Sequence, residues 1–252
     1  MCETCGCGDP ELVPVEIQES ILAGNDRVAR HNREHFDAAG TLAINLMGSP
    51  GSGKTALLEA TARALSTSAG IAAITGDLAT DNDARRLRAA GIPCRAVTTG
   101  SACHLDARIV HDVLHELAPS PHLLFIENVG NLVCPAIYDL GQHANVVVLS
   151  VTEGMDKPLK YPVMFREADL VVVSKTDLLP VLEDISVAGI RESVERVMPR
   201  PAILAVSARR GEGIGEWIHW LETLRERVEP DGHGGPHPHH HHPAHDHGVV
   251  TP

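Results

Sequence analysis

Gly48-Ser49-Pro50-Gly51-Ser52-Gly53-Lys54-Thr55 fits G-x-x-x-x-G-K-[ST], the phosphate-binding P-loop. The stretch before it, Thr41-Leu42-Ala43-Ile44-Asn45-Leu46-Met47, is apolar and of strand length. The stretch after it, Ala56 to Leu65, is rich in strong helix formers. Strand, glycine loop and helix start therefore follow in the order the motif needs. Glycines let the backbone wrap a phosphate and aim N–H groups at it, and the helix N-terminus adds partial positive charge. On this reading Gly48, Ser49, Gly51, Ser52 and Gly53 cradle the phosphates. Lys54 reaches the β- and γ-phosphates, and the Thr55 hydroxyl ligates Mg²⁺.

Outward from the loop an α/β rhythm continues. Ile71–Thr75 reads as a strand ending in Gly76-Asp77, and Asp81–Ala90 as a helix closed by Gly91. Arg95–Val97 reads as a short strand, His104–Leu117 as an amphipathic helix and His122–Ile126 as a strand. Val146–Val151, Leu170–Val173 and Ala202–Val206 are apolar runs typical of parallel strands covered on both faces, and a helix runs from Gly215 to about Val228. The fold class expected is α/β, a doubly wound and mostly parallel sheet. Ligands in such sheets bind at the carboxyl ends of the strands.

Three stretches fall at those ends. Glu127 occupies the place of a Walker-B acid, with Gly130 three residues later where a γ-phosphate is sensed. Asp77 ends the preceding strand and is a candidate to hold Mg²⁺ or orient water. Lys54, Asp77 and Glu127 are the candidate catalytic residues. Ser174-Lys175-Thr176-Asp177 is similar to N-K-x-D, in which the carboxylate accepts from guanine N1–H and N2–H₂ and the lysine packs over the base. Adenine offers no such donor pair, so Asp177 selects GTP over ATP. Ser174 departs from the Asn of that motif. Ser207-Ala208-Arg209 follows the last strand, as a guanine-backing loop should.

The flanks differ in kind. Cys2, Cys5 and Cys7 form a C-x-x-C-x-C compact enough to wrap one soft ion, Ni²⁺, Zn²⁺ or Cu⁺; a redox dithiol is the other reading. If Met1 is removed, the Cys2 amine becomes a further ligand, and nitrogen with thiolate favours square-planar Ni²⁺. Asn25–Ala39 reads as an amphipathic helix ending at Gly40. His31 and His35 stand there at i and i+4, the spacing of a metal pair, but nothing near them in sequence supports a site and they read as a solvated face. From Pro230 the chain is mostly Gly, Pro, Asp and His, a composition that cannot bury a core. His237, His239, His240, His241 and His242 there read as a weak metal store, with an expression tag as the alternative. The organisation expected is a metal-binding motif with a helical segment over 1–40, a P-loop domain over 41–229 and a His-rich tail over 230–252.

The net charge of −12 over 252 residues argues against binding nucleic acid through a basic surface. No apolar run reaches membrane-spanning length and no signal-peptide core is present, so the cytoplasm is the expected location. The six cysteines are then thiols or metal ligands rather than disulfides.

Taken together the chain resembles the nickel-incorporation GTPases of hydrogenase maturation, the HypB type. The residues that carry the likeness are Met1–Gly8, the P-loop, Gly76–Ala84, Gly100-Ser101-Ala102-Cys103-His104-Leu105, Glu127–Pro135 and Ser174–Asp177, so it spans essentially 1–228. The resemblance implies a GTPase of the SIMIBI type working with GTP, GDP, magnesium, nickel and zinc. It implies a GTP-dependent homodimer that hands nickel to the hydrogenase large-subunit precursor, with a small zinc-containing HypA-type partner. It also implies a second metal site, for nickel or zinc, at the dimer interface from Cys103, His104 and Cys134. The residues themselves point the same way: Cys103-His104 is expected to open a helix, whose dipole stabilises a thiolate, although buried structural cysteines are the other reading. Cys94 reads as a core residue. Two rival functions stay in view, a urease-accessory nickel GTPase and a nickel store with vestigial GTPase activity.

Overall fold

The computed structural model describes residues 15–65, 70–100, 102–114, 116, 117 and 120–228, with side chains from 20 onward. The cysteine motif at Cys2, Cys5 and Cys7 and the His-rich tail lie outside the described residues. Seven parallel strands form one sheet in the order β3-β2-β4-β1-β5-β6-β7. They are β1 (Leu42–Met47), β2 (Ile71–Asp77), β3 (Cys94–Thr98), β4 (Leu123–Glu127), β5 (Ala144–Ser150), β6 (Leu170–Ser174) and β7 (Ile203–Ala205).

The P-loop strand β1 is central, with β4 on one side and β5 on the other. All six of its residues are buried, as the apolar run requires. Leu42, Ile44 and Leu46 point to one face of the sheet, where they meet α2 (Lys54–Ala64), α3 (Asn82–Ala89) and α8 (Ile214–Val228) through Leu57, Leu87 and Trp217. Trp217 is fully buried and donates its indole N–H to Thr61 Oγ1 at 2.8 Å. Ala43 and Met47 point to the other face. There α1 (Val15–Ala39) and α4 (Ala107–Leu114) cover the β2–β4 side through Phe36 and Val110. α6 (Pro162–Arg166) and α7 (Val187–Glu195) cover the β5–β6 side through Phe165 and Ile190. The polar residue of β1, Asn45, is satisfied within the core: its amide donates to Asn145 Oδ1 at 2.9 Å and its oxygen accepts from Asn128 at 3.2 Å.

Two differences from the sequence reading bear on the site. Helix α1 begins at Val15, ten residues before the expected start at Asn25. Gly24 did not stop it, since one glycine costs a helix only about 1 kcal/mol and tertiary packing outweighs that. Helix α4 begins at Ala107, so Cys103 and His104 do not open a helix. They sit in the turn before it, where Thr99 holds Ala102 through N–H···O and Oγ1–H···O bonds of 3.1 and 2.6 Å.

Candidate functional site

Three P-loop glycines take left-handed backbone that a side chain would strain: Gly48 at φ 144°, Gly51 at 73° and Gly53 at 103°. A Cβ on Gly48 would also stand 2.3 Å from the Val148 carbonyl oxygen. Lys54 lies folded over the loop, only 6 % exposed, with Nζ donating to the carbonyls of Gly48 at 3.1 Å and Ser49 at 3.3 Å. Burial pulls its pKa below the usual lysine value, and the nearby Glu127 carboxyl opposes that shift.

Thr55, at the start of α2, meets two carboxyls. Its Oγ1 stands 2.8 Å from Glu127 Oε1 and 2.9 Å from Asp83 Oδ1. A hydroxyl has one proton to donate, so two carboxylates on it are in excess unless one is protonated or a cation joins them. Burial pushes the Glu127 carboxyl up to about 7, with Lys54 pulling the other way. Its second oxygen, Oε2, is buried without a hydrogen-bond partner, as is the P-loop hydroxyl Ser52 Oγ. Hard oxygen donors converging at the foot of a phosphate loop, with a buried carboxylate oxygen left over, fit Mg²⁺.

Asp83 was not singled out from sequence; the visible signal was the bunching of Asp77, Asp81 and Asp83 from the end of β2 onward. Asp77 itself faces its own loop. Its Oδ1 accepts from Ala79 N–H at 2.9 Å and Thr80 N–H at 2.7 Å, bonds that hold the carboxyl below its ordinary range. A second unforeseen residue is Glu153, which accepts from Ser49 Oγ and from Ser150 N–H and pairs with Lys157 at 3.6 Å.

The segments expected to recognise the base lie beside the loop. Lys175 adopts φ 59° and donates from Nζ to the Gly51 carbonyl at 2.6 Å. Ser174 Oγ donates to the Ser52 carbonyl, which gives the residue that replaces Asn its own hold on the P-loop. Asp177 is half-buried, and its Oδ1 accepts from the fully buried Ser207 Oγ at 2.7 Å, which holds the carboxyl low. Ser207 also accepts from Arg210 N–H at 3.2 Å, and Ala208 O accepts from Arg63. The segment after β4 closes the other side. Gly130 fits so tightly that a Cβ would stand 2.8 Å from Pro50 N, and Asn131 bridges to Gly48.

Cys103, His104 and Cys134 come together although the first two lie about thirty positions from the third. Among the described residues they are the one set of three such side chains whose ligand atoms all lie within 4.8 Å. The two sulfurs are 3.1 Å apart, and Cys103 Sγ is 3.7 Å from His104 Nδ1. His104 stacks on Tyr138 at 3.9 Å between ring centroids. Burial lowers the His104 pKa, which keeps the imidazole neutral and able to ligate. Two thiols and an imidazole suit Ni²⁺ or Zn²⁺. Cys94 is elsewhere, in the core of β3, its thiol pushed up to about 11 by burial.

The two sites touch through Asn128. It follows Glu127 directly, and its Oδ1 accepts from Leu105 N–H at 3.0 Å, the residue after His104. Helix α1 braces both ligand segments from outside: Asn25 accepts from Ala107 N–H at 2.9 Å and donates to Asp139 O at 2.8 Å.

Residues 42–204 match the CobW/HypB/UreG nucleotide-binding domain family. The hydrogenase maturation factor HypB of Azotobacter chroococcum is 51% identical over 212 residues, covering 84% of this chain and 69% of that one. The chain belongs to the HypB family. HypB of Escherichia coli K12 is 49% identical over 212 residues, covering 84% of this chain and 73% of its own. Among solved structures, HypB of Archaeoglobus fulgidus superimposes with a TM-score of 0.75 at 40% identity, covering 81% of this chain and all of that one. HypB of Helicobacter pylori, solved in complex with nickel, gives 0.76 at 38% identity over 84% of this chain and all of its own. The signal recognition particle 54 kDa protein of Aeropyrum pernix, at TM-score 0.51 and 14% identity over 87% of this chain and 57% of that one, shares the fold alone. The maturation-factor family, the parallel sheet and the nucleotide-binding domain thus agree with the sequence reading. No helix among the described residues is long and apolar enough to cross a membrane.

Proposed function

We propose that the chain is a GTP-hydrolysing nickel metallochaperone that delivers nickel to the precursor of the [NiFe]-hydrogenase large subunit. Nickel is the cargo, and Cys103, His104 and Cys134 receive it. The observation that carries the reading is the Asn128 link, which joins the carboxyl beside the P-loop to the backbone beside His104. The P-loop N–H groups and Lys54 bind the phosphates, and Asp177, held by Ser207, accepts from guanine. Thr55, Asp83 and Glu127 would hold Mg²⁺, with Asp77 at the rim of the same loop. Bound there, the ion would neutralise charge developing on the phosphates. Gly130 and Asn131, pressed against the P-loop, sense the third phosphate and move Asn128 and Cys134 with it. Two subunits then meet and complete the metal site. A HypA-type zinc protein is the proposed partner, Cys2, Cys5 and Cys7 the proposed first nickel site, the tail histidines a weak store, and the cytoplasm the location. Support for nickel comes from the H. pylori relative solved with it.

A second reading, service to urease as well, is favoured by the relative named hydrogenase/urease maturation factor in H. pylori, 39% identical over 221 residues. One experiment separates these. A strain lacking the gene is complemented with the wild type, Cys103→Ala or Asp177→Asn, and hydrogenase and urease are assayed separately with and without excess nickel. Restoration of hydrogenase by the wild type alone at low nickel, and by Cys103→Ala only at high nickel, is the expected result. Purified wild type should hydrolyse GTP slowly and disfavour ATP, while Asp177→Asn should shift toward xanthosine triphosphate. Equal turnover of GTP and ATP by the wild type would sink the assignment.

A further inference from the structure

His31 and His35 lie one turn apart on α1, and the fold brings them a third imidazole from a distant stretch of chain. Their Nε2 atoms stand 3.1 Å apart, with the rings edge to face at 4.5 Å between centroids. His111 of α4 places its ring centroid 5.2 Å from His31 and 6.2 Å from His35. We propose that His31, His35 and His111 form a separate binding site for one divalent transition-metal ion, bridging α1 to α4.

Nitrogen spacing supports this first. Two imidazole nitrogens on one ion at about 2.0–2.1 Å stand about 2.9–3.4 Å apart, from right-angle to tetrahedral geometry. The 3.1 Å separation of the His31 and His35 nitrogens falls within that window. Without an ion one proton must lie between the two nitrogens, donated by one ring and accepted by the other. An ion takes the place of that proton, which shifts to the Nδ1 of its own ring through solvent, so both imidazoles ligate in the neutral form.

The partners behind the rings support it second. Ligating histidines present one nitrogen to the ion and give the other to an oxygen that fixes the tautomer. His111 Nδ1 stands 3.1 Å from Asn32 Oδ1, and that oxygen can only accept. The proton is therefore on Nδ1, and Nε2 is the basic nitrogen of His111. Asn32 is itself fixed, fully buried with its amide donating to Ala107 O at 2.8 Å and Leu140 O at 3.1 Å. His31 Nδ1 faces Glu34 Oε2 at 3.9 Å, within ion-pair reach but too far for a hydrogen bond. The three nitrogens are set wider than the Cys103–His104–Cys134 cluster, and His31 and His35 are exposed, so the ion draws the rings in by side-chain rotation. His111 borders an open depression between α1 and α4 that His31 also lines, which leaves room for water on the remaining positions. Three imidazoles suit Zn²⁺ or Ni²⁺ over Mg²⁺ or Ca²⁺.

The test is imidazole ¹⁵N spectroscopy of the full chain titrated with Zn²⁺, with signals assigned through His31→Gln, His35→Gln and His111→Gln. Ions at the cysteines or the tail move other signals and so do not interfere. The Nε2 signals of His31, His35 and His111 are expected to move to metal-bound positions together, along one saturation curve. His111→Gln should weaken binding at the other two rings by more than the roughly 10- to 100-fold that loss of an outer partner costs. His35→Gln should abolish the shift of His31 and His111 while leaving the backbone amide spectrum unchanged. Unmoved Nε2 signals at saturating Zn²⁺ would overturn the site. So would movement of His31 and His35 with His111 unaffected, which would leave a helix-surface pair and no bridge to α4.

Discussion

Glu127 is a buried carboxyl in the nucleotide site whose charged form burial disfavours. The carboxyl is 3 % exposed and lacks a partner for Oε2, and burial pushes its pKa up from 4.5 to about 7. A raised folded-state pKa means that the folded protein binds more protons than the unfolded chain between those two values. Stability of the nucleotide-free and Mg²⁺-free protein should therefore be highest below about pH 4.5 as far as this group is concerned, and fall as pH rises to about 7. Glu127→Gln removes the charge and keeps the shape, so thermal unfolding of the variant should lack that fall. At pH 8 it should be more stable than the wild type by on the order of 1–3 kcal/mol. Mg²⁺ should restore the wild type and leave the variant unmoved. Parallel pH profiles for the two proteins would show that Glu127 is solvated and not a buried acid.

At the scale of elements, the segment after β4 meets the P-loop in a tight backbone contact. A methyl on Gly130 would stand 2.8 Å from both Pro50 N and Pro50 Cγ and 3.0 Å from Pro50 Cα. Two of those are backbone atoms, so no rotamer change relieves them, and overpacking of this kind costs about 1–3 kcal/mol. Gly130→Ala should open the Gly48–Asn131 bridge and weaken GDP and GTP binding, with the Tm lowered only modestly because the sheet core is untouched. Calorimetric titration alongside thermal unfolding measures both; unchanged nucleotide affinity would separate this segment from nucleotide sensing. The P-loop, the strands around it and the places of Asp177 and Ser207 just past two strand ends were legible because each sits in a local motif with a fixed place relative to a strand end. What was not legible came from distant stretches meeting. Asp83 reaches Thr55 from 28 positions away, Asn128 reaches Leu105 from 23, and His111 reaches Asn32 from 79. The helix expected over His104–Leu117 misplaced Cys103-His104 for a physical reason: His104 is buried against Tyr138, and Leu105 N–H bonds to Asn128 instead of continuing a helical ladder.

At the scale of the whole molecule, nucleotide and metal should be coupled, and the coupling should run through assembly. Each chain offers Cys103, His104 and Cys134, three ligands for an ion that in closed sites takes four. Cys103 remains part-exposed while the other two are buried, so the open side of the cluster faces outward. A twofold axis beside it would bring a second set of the same ligands. GTP favours that arrangement if the third phosphate fixes Gly130 and Asn131 against the P-loop, because Asn128 then sets the Leu105 backbone and Cys134 follows on the same segment. Linkage makes the effect reciprocal: whatever factor GTP adds to metal affinity, metal must add to GTP affinity or to dimer formation. The measurement uses a full chain whose Cys2, Cys5 and Cys7 are replaced by Ser, titrated with Ni²⁺ in GDP and in a non-hydrolysable GTP analogue while sedimentation follows assembly. Tighter binding and more dimer in the analogue are expected, by a coupling of about 1–3 kcal/mol, or 5- to 150-fold. Asn128→Ala should keep metal binding and nucleotide binding but make each indifferent to the other, whereas Cys103→Ala should abolish the site in both nucleotide states. Equal affinities in the two nucleotides, with assembly unchanged by nickel, would leave Cys103, His104 and Cys134 as a static cluster and remove the coupling altogether.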